Sequence, residues 1–295
     1  MLFREPELTS TERELVARIE GLRRALRYFL PPSRRWHGGL RRDLEGREPG
    51  LDAAARDSYR AAMSFVLTLA DDPDFAYSAE TVRALHYMVL QHDLSRAPGR
   101  VRRGPVYLRN EDRLVREPPG ASQVQALLEQ LLGDLRQESS SPVWVRAAMA
   151  HLNMVLIHPF TDANGRMARC LESLILARAG IAEEPFVSLE EYLGRDTSAY
   201  YRVLGEVAGE RWDPSRDARP WLHFCLEAHC RHAASYAERL RQPGRAAAAM
   251  QYRKLFREWQ ADPSLDGRQR ELAWQARCQA ELDRVVRADS AEGPG

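Results

Sequence analysis

Lysine is almost missing from this chain: of 43 basic residues, Lys254 is the only one that is not arginine. A P-loop needs its lysine after a glycine-rich turn, and no such segment occurs; no GxGxxG run follows a strand-like stretch either. Any phosphate binding must therefore use arginines and helix ends. Cysteine is scarce, with four in 295 residues, which does not make a disulfide scaffold. Cys225, His229, Cys230 and His232 crowd one stretch, and Cys225 and His229 stand one helical turn apart. That spacing could be half of a metal site, but no second pair has zinc-ligand spacing, so packing residues on an amphipathic helix is the preferred reading. No apolar run approaches the roughly eighteen residues that span a bilayer, and the early charges of Met1–Glu7 leave no signal core. A net charge of +1 gives no global field for nucleic acid or an anionic surface. The expectation is a cytoplasmic protein with neither a membrane nor a nucleic acid as partner. With 44% hydrophobic and 29% charged residues, the balance is that of a globular chain with a real core.

What is present reads as helix after helix. Apolar residues at helical spacing (Leu15, Ile19, Leu22, Leu26, Phe29) predict a helix from Ser10 to about Leu30, stopped by Pro31-Pro32. A short helix is expected over 39–47 and longer ones over 52–70, from Ser78 onward, 122–136 and 142–157. Ser141 is the expected cap of the last of these, with Pro142 at its first helical position. Further helices are expected over 164–179, 198–209 and 220–241. The interval 98–120, punctuated by Pro, Gly and Arg, contains one strand-like run, Val106-Tyr107-Leu108, and reads as a hairpin or flap, with a plain surface loop as the alternative. Pro243-Gly244 marks a boundary before an Arg- and Ala-rich end.

The chemistry concentrates in His158-Pro-Phe-Thr-Asp-Ala-Asn-Gly-Arg-Met-Ala-Arg169. Pro159 disfavours a helical residue before it, so the preceding helix must end at His158. Phe160 is an apolar anchor in a polar loop. Asp162 falls near the capping position of the next helix, and Asn164-Gly165 leave room for a ligand to approach backbone N–H groups. Arg166 and Arg169 follow on one face of that helix's first turn, where each cation costs on the order of 0.3–1 kcal/mol against the helix dipole. Such a placement makes sense if a multiply charged anion sits there, held by orphan N–H groups and guanidinium forks. Asp162 then supplies a hard oxygen for Mg²⁺, and His158 is a candidate general base. Taken singly, a histidine at a helix end, an aspartate before a helix and two helical arginines are ordinary structural features; together within one turn they point to a site.

The segment resembles the signature of the Fic family, His-Pro-Phe-x-Asp/Glu-Gly-Asn-Gly-Arg-x-x-Arg. Ala163 replaces the usual Gly, and alanine recurs there in the related Doc branch. The likeness extends to the helix from Ser78 to His86, to Pro98–Arg102 with Val106–Leu108 as a flap, to Pro118-Pro119 with Val124 and Leu127, and to Tyr200-Tyr201 with Leu204. The resemblance implies a mainly α fold, a Fic-type helical bundle with a short β-hairpin flap, over residues 35–235. It would lie between an N-terminal helical segment, 1–34, and a C-terminal helical extension with a loose tail, 236–295. It implies that AMP passes from ATP to a Ser, Thr or Tyr hydroxyl of a target protein, itself included, with pyrophosphate released. His158 would deprotonate the hydroxyl and Asp162 would bind Mg²⁺. Asn164, Gly165 and Arg166 would hold the phosphates, Arg169 would contact the terminal one, and Val106, Tyr107 and Leu108 would dock the target by main-chain pairing.

Asp43-Leu44-Glu45-Gly46 resembles the family's inhibitory pattern, Ser/Thr-x-x-x-Glu-Gly/Asn, although its Ser/Thr position falls on Arg41. The resemblance implies that Glu45 pairs with Arg169 and keeps it from ATP. Alternatives remain: transfer of UMP, GMP or phosphate, removal of AMP from a modified target, or a non-enzymatic regulator using the arginine-rich 243–295 segment as a DNA-binding module. Homodimerisation is left open.

Overall fold

The computed structural model describes residues 1–26, 52–106, 108–110, 113–181, 186, 189, 192 and 197–241. Among them run eight α-helices: α1 (Ser10–Leu26), α2 (Ala53–Asp71), α3 (Ala79–Leu90), α4 (Ala121–Arg136), α5 (Val143–Ile157), α6 (Asn164–Arg178), α7 (Thr197–Ala208) and α8 (Arg219–Arg241). One two-stranded antiparallel hairpin joins them, β1 (Leu108–Asn110) and β2 (Arg113–Arg116). The mainly α architecture is the expected one.

Local chemistry sets several helix starts. Asp52 accepts from the Ala55 N–H at 2.8 Å and Ser78 from the Thr81 N–H at 3.2 Å, each satisfying a donor that the first turn of α2 or α3 leaves open. Glu12, one turn into α1, reaches back to the Thr9 N–H at 2.8 Å. For α5 the expectation was wrong by one position. Pro142 is itself the cap, with ψ 140°, and the helix begins at Val143; Ser141 instead donates to Glu5 Oε1 at 2.8 Å.

α5 is central. Every residue of it except Val143 and Arg146 is buried, as expected of a helix that is apolar all round. α6 packs along it most extensively, with α4 and α8 on its other sides; α2 and α3 cover α6, and α1 lies along α8. Polar ties lock this order. The Trp221 indole of α8 donates to the Ala148 carbonyl at 2.8 Å, and the Trp144 indole of α5 to Glu20 of α1 at 2.7 Å. Asn153 exchanges hydrogen bonds with the Phe3 backbone, at 2.9 and 3.1 Å, which pins the N-terminal segment to α5. Leu2, Phe3, Ile19 and Leu22 accordingly share one core with α5, α6 and α8, and α8 runs without a break from Arg219 to Arg241.

The flap is a hairpin, but its strands are displaced from the predicted run. Only Leu108 of Val106-Tyr107-Leu108 lies in β1; Val106 precedes it, and Tyr107 is outside the described residues. The second strand, Arg113–Arg116, carries too many charges to be read as a strand from sequence. The register pairs Arg109 with Leu114 and Asn110 with Arg113.

Candidate active site at the turn between α5 and α6

The turn is held between two left-handed residues, His158 (φ 52°) and Ala163 (φ 58°). Pro159 excludes the helical conformation from His158, so α5 ends there with the His158 N–H still bonded to the Met154 carbonyl at 3.3 Å. A non-glycine residue in this region costs roughly 1–2 kcal/mol, and such strain persists only where surroundings enforce it. Here they do. Phe160 is fully buried and lies flat on the His86 ring of α3, centroids 3.7 Å apart. The Asn164 amide closes the loop on itself, accepting from the Phe160 N–H at 3.0 Å and donating to the Phe160 carbonyl at 2.9 Å. Asn164 is thus committed to shaping the turn, and what it has left for a ligand is its backbone N–H at the start of α6.

His158 is half-buried, and its Nδ1 lies 3.3 Å from the Val155 carbonyl. A carbonyl can only accept, so Nδ1 carries the proton and Nε2 keeps its lone pair. Burial, reinforced by the charges of Arg116 and Arg102, pulls the imidazole down to about 4 against the pull of Asp162 and the Val155 carbonyl. The ring is neutral at physiological pH, as a general base must be.

Asp162 precedes the cap position of α6, which Ala163 occupies without a side-chain bond. Its Oδ1 accepts from the Ala163 N–H at 2.6 Å and its Oδ2 from Arg96 at 2.5 Å. Although burial opposes it, these bonds and the Arg166 charge hold the carboxyl below its ordinary value. Arg96 also bonds Asp93 Oδ2, at 2.9 Å. The Asp162 carbonyl faces His86 Nε2 at 3.2 Å, while the Gly99 N–H donates to His86 Nδ1 at 2.8 Å. His86 is therefore the Nε2–H tautomer, a neutral bridge between α3, the base of the flap and the metal-ligand candidate; burial takes it down to about 4.

Arg166, 7% exposed, carries a buried Nη1 with no hydrogen-bond partner among the described residues. A buried guanidinium with an unspent donor, beside the open N–H groups of a helix start, is what a bound phosphate would complete. Arg169 lies one turn on, its guanidinium carbon 5.9 Å from the Tyr59 ring centroid. Among the described residues no group of three or more His, Cys, Asp or Glu is gathered for a metal. The donor set fits Mg²⁺ only as Mg²⁺ binds with nucleotides, through one or two carboxylates and the substrate's phosphate oxygens. Glu45 lies outside the described residues, as does the helix expected over 39–47.

The turn thus brings together His158, Asp162, Asn164, Gly165 and Arg166, with Arg169 one helical turn further. Sequence reasoning missed four residues around it: His86, Arg96, Arg102 and Arg116. His86 had a signal, since it sits four residues after Val82 and three before Val89 on the buried face of α3. The arginines had none, because an arginine's depth is not written in its spacing. The Cys225–His232 cluster lies inside the bundle, where His229 Nε2 faces Glu172 Oε1 at 3.2 Å.

Residues 76–176 match the sequence model of the Fic/DOC family. A protein named protein adenylyltransferase Fic, from Culex quinquefasciatus, is 34% identical over 171 residues, 57% of this chain and 30% of that protein. The chain thus spans under a third of the length of that relative. Among solved structures, a Fic family protein from Desulfovibrio desulfuricans superposes with a TM-score of 0.59 at 23% identity, over 81% of this chain and 77% of that one. Fic-1 from C. elegans superposes with a TM-score of 0.56 at 23% identity, over 78% of this chain and 72% of that one. These two likenesses establish the fold.

Proposed function

We propose, on the premise that residues 76–176 form a Fic/DOC-family domain, that this chain transfers AMP from ATP to a hydroxyl of a target protein. One observation carries the reading. A single rigid turn holds a neutral imidazole with a free Nε2 on one arm and a buried guanidinium with an unspent donor on the other. The name protein adenylyltransferase, borne by relatives about one-third identical, supports it.

His158 Nε2 takes the proton from the target Ser, Thr or Tyr hydroxyl as its oxygen bonds to the α-phosphorus. The bond from that phosphorus to the bridging oxygen breaks, and pyrophosphate leaves. Arg166, Arg169 and the N–H groups at Asn164, Gly165 and Arg166 spread the phosphate charge, which in phosphoryl transfer is the main catalytic contribution. Asp162 would hold Mg²⁺ with the nucleotide, which would further neutralise that charge. Val106 and Tyr107, which lead into the hairpin, and Leu108 of its first strand dock the target chain. Glu45 restrains the site by pairing with Arg169.

Incorporation of label from α-labelled ATP with Mg²⁺ tests the proposal. Glu45→Gly is expected to raise labelling of the chain or its target, and adding His158→Ala to lower it by roughly 10²–10⁴-fold, the usual worth of a positioned base. A folded Glu45→Gly protein that takes no label from ATP, while UTP or GTP labels it, moves the substrate to that nucleotide; no label from any of them overturns nucleotide transfer.

A further inference from the structure

Two arginines stand at the two feet of the flap, buried. Arg102 and Arg116 are each 5% exposed, and neither makes an ion pair among the described residues. An uncompensated buried cation costs several kcal/mol, so their placement calls for a reason. Arg102 donates through Nε to the His158 carbonyl at 2.7 Å and through Nη2 to those of Pro119 at 2.5 Å and Ile157 at 3.4 Å. Its Nη1 donates to the Gly104 carbonyl at 3.0 Å, and its backbone N–H to that of Pro159 at 2.9 Å. Arg116, the last residue of β2, donates to the Leu156 carbonyl at 2.6 Å, while its buried Nε has no partner among the described residues. Leu156, Ile157 and His158 are the end of α5, whose last carbonyls lack helical partners and carry the negative end of the dipole. A simple C-terminal cap would use one cation from a neighbouring loop. Here the segment leading into the hairpin and the last residue of its second strand reach the same helix end.

We propose that Arg102 and Arg116 are positioning residues for His158: by bonding the last carbonyls of α5 from both feet of the flap, they hold the histidine in its left-handed conformation and couple docking at the hairpin to the base. Their charge acts in the same sense. After burial, Arg116 and then Arg102 are what keep His158 unprotonated, against Asp162 on the turn and the Val155 carbonyl on α5. Burial takes Arg116 itself down only to about 10, so it stays charged at neutral pH.

The inference rests on the reading of His158 as the base, so its first readout uses no nucleotide. The His158 Cε1–H resonance is followed against pH in the full chain and in Arg102→Met, Arg116→Met and Arg102→Lys. The unaltered protein is expected to titrate far below the ordinary 6.5. Each methionine variant should raise the midpoint by about one unit, the effect of removing a nearby charge. Arg102→Lys keeps the charge and loses the fork, so its midpoint should stay low while kcat for AMP transfer falls and KM for ATP does not change. An ordinary midpoint in the unaltered protein overturns the proposal. So do methionine variants that lower the melting temperature and leave the midpoint in place. If the methionine variants do not fold, the unaltered protein and Arg102→Lys decide it. A protein that titrates as expected yet transfers no nucleotide sinks the activity and leaves the arginine clamp standing.

Discussion

The front and the back of the same two helices handle charge in opposite ways. At the back, Glu172 of α6 is entirely buried among polar partners: His151 Nδ1 at 2.6 Å on one oxygen and His229 Nε2 at 3.2 Å on the other, with Tyr200 3.3 Å from the far nitrogen of His151. Burial alone would raise this carboxyl, yet the two histidines take it down to about 2. At the front, where α5 turns into α6, the imidazole keeps a free lone pair, Arg166 keeps an open donor, and two residues sit in a strained conformation. Where polar groups satisfy each other they hold the bundle together. At the back the carboxylate is fully used, and the one open atom there among the described residues, His229 Nδ1, is sealed inside the bundle; at the front the open groups lie together at the turn. The cost of the front is borne by the packing behind it, chiefly Phe160 on His86 and α5 inside its neighbours.

The sharpest way to break this contrast is to attack the back. Glu172→Gln removes the carboxylate that both buried histidines hydrogen-bond and should cost about 1–3 kcal/mol in urea unfolding, with AMP transfer per folded molecule unchanged. A variant of unaltered stability that loses activity would reverse the division. Acid probes the two regions in sequence. His86 and His158 each bind a proton near 6.5 when unfolded and near 4 when folded. Between those values the unfolded chain holds more protons. Stability should be full above pH 6.5 and fall as pH drops towards 4, by up to about 3 kcal/mol per histidine. Glu172 has the other window: its contribution persists above about 4.5 and is lost only as pH falls towards 2. The front should therefore fail first, which urea unfolding at pH 7.5 and pH 5 would measure, and His158→Ala should remove one histidine's share. The smallest effect is Ala163→Gly. Relieving a positive φ should stabilise by up to about 1 kcal/mol, read as a small rise in melting temperature; a fall would mean that the Ala163 methyl, 8% exposed, contributes more than its backbone costs.

Much of the site was legible because it is local. The end of α5 at His158 follows from Pro159, the start of α6 from the Asn-Gly pair, and the unfavourable arginines of its first turn from helix electrostatics. The flap was legible only in outline, since β2 is an arginine-rich strand whose pairing partner alone makes it one. The full burial of α5 was not legible, because Ala and Asn positions that are buried by contact with Phe3 and Trp221 look neutral in a row of letters.

By itself, the sequence determined the order of the helices and the residues of the turn, since both depend on neighbours within a few positions: proline geometry, capping side chains and apolar spacing. The tertiary structure alone decided which cations are buried, which nitrogen of His158 is free, and that His86, Arg102 and Arg116 converge on the turn. Solvation and hydrogen-bond pairing depend on segments 40 to 76 positions away along the chain, and no periodicity records that distance.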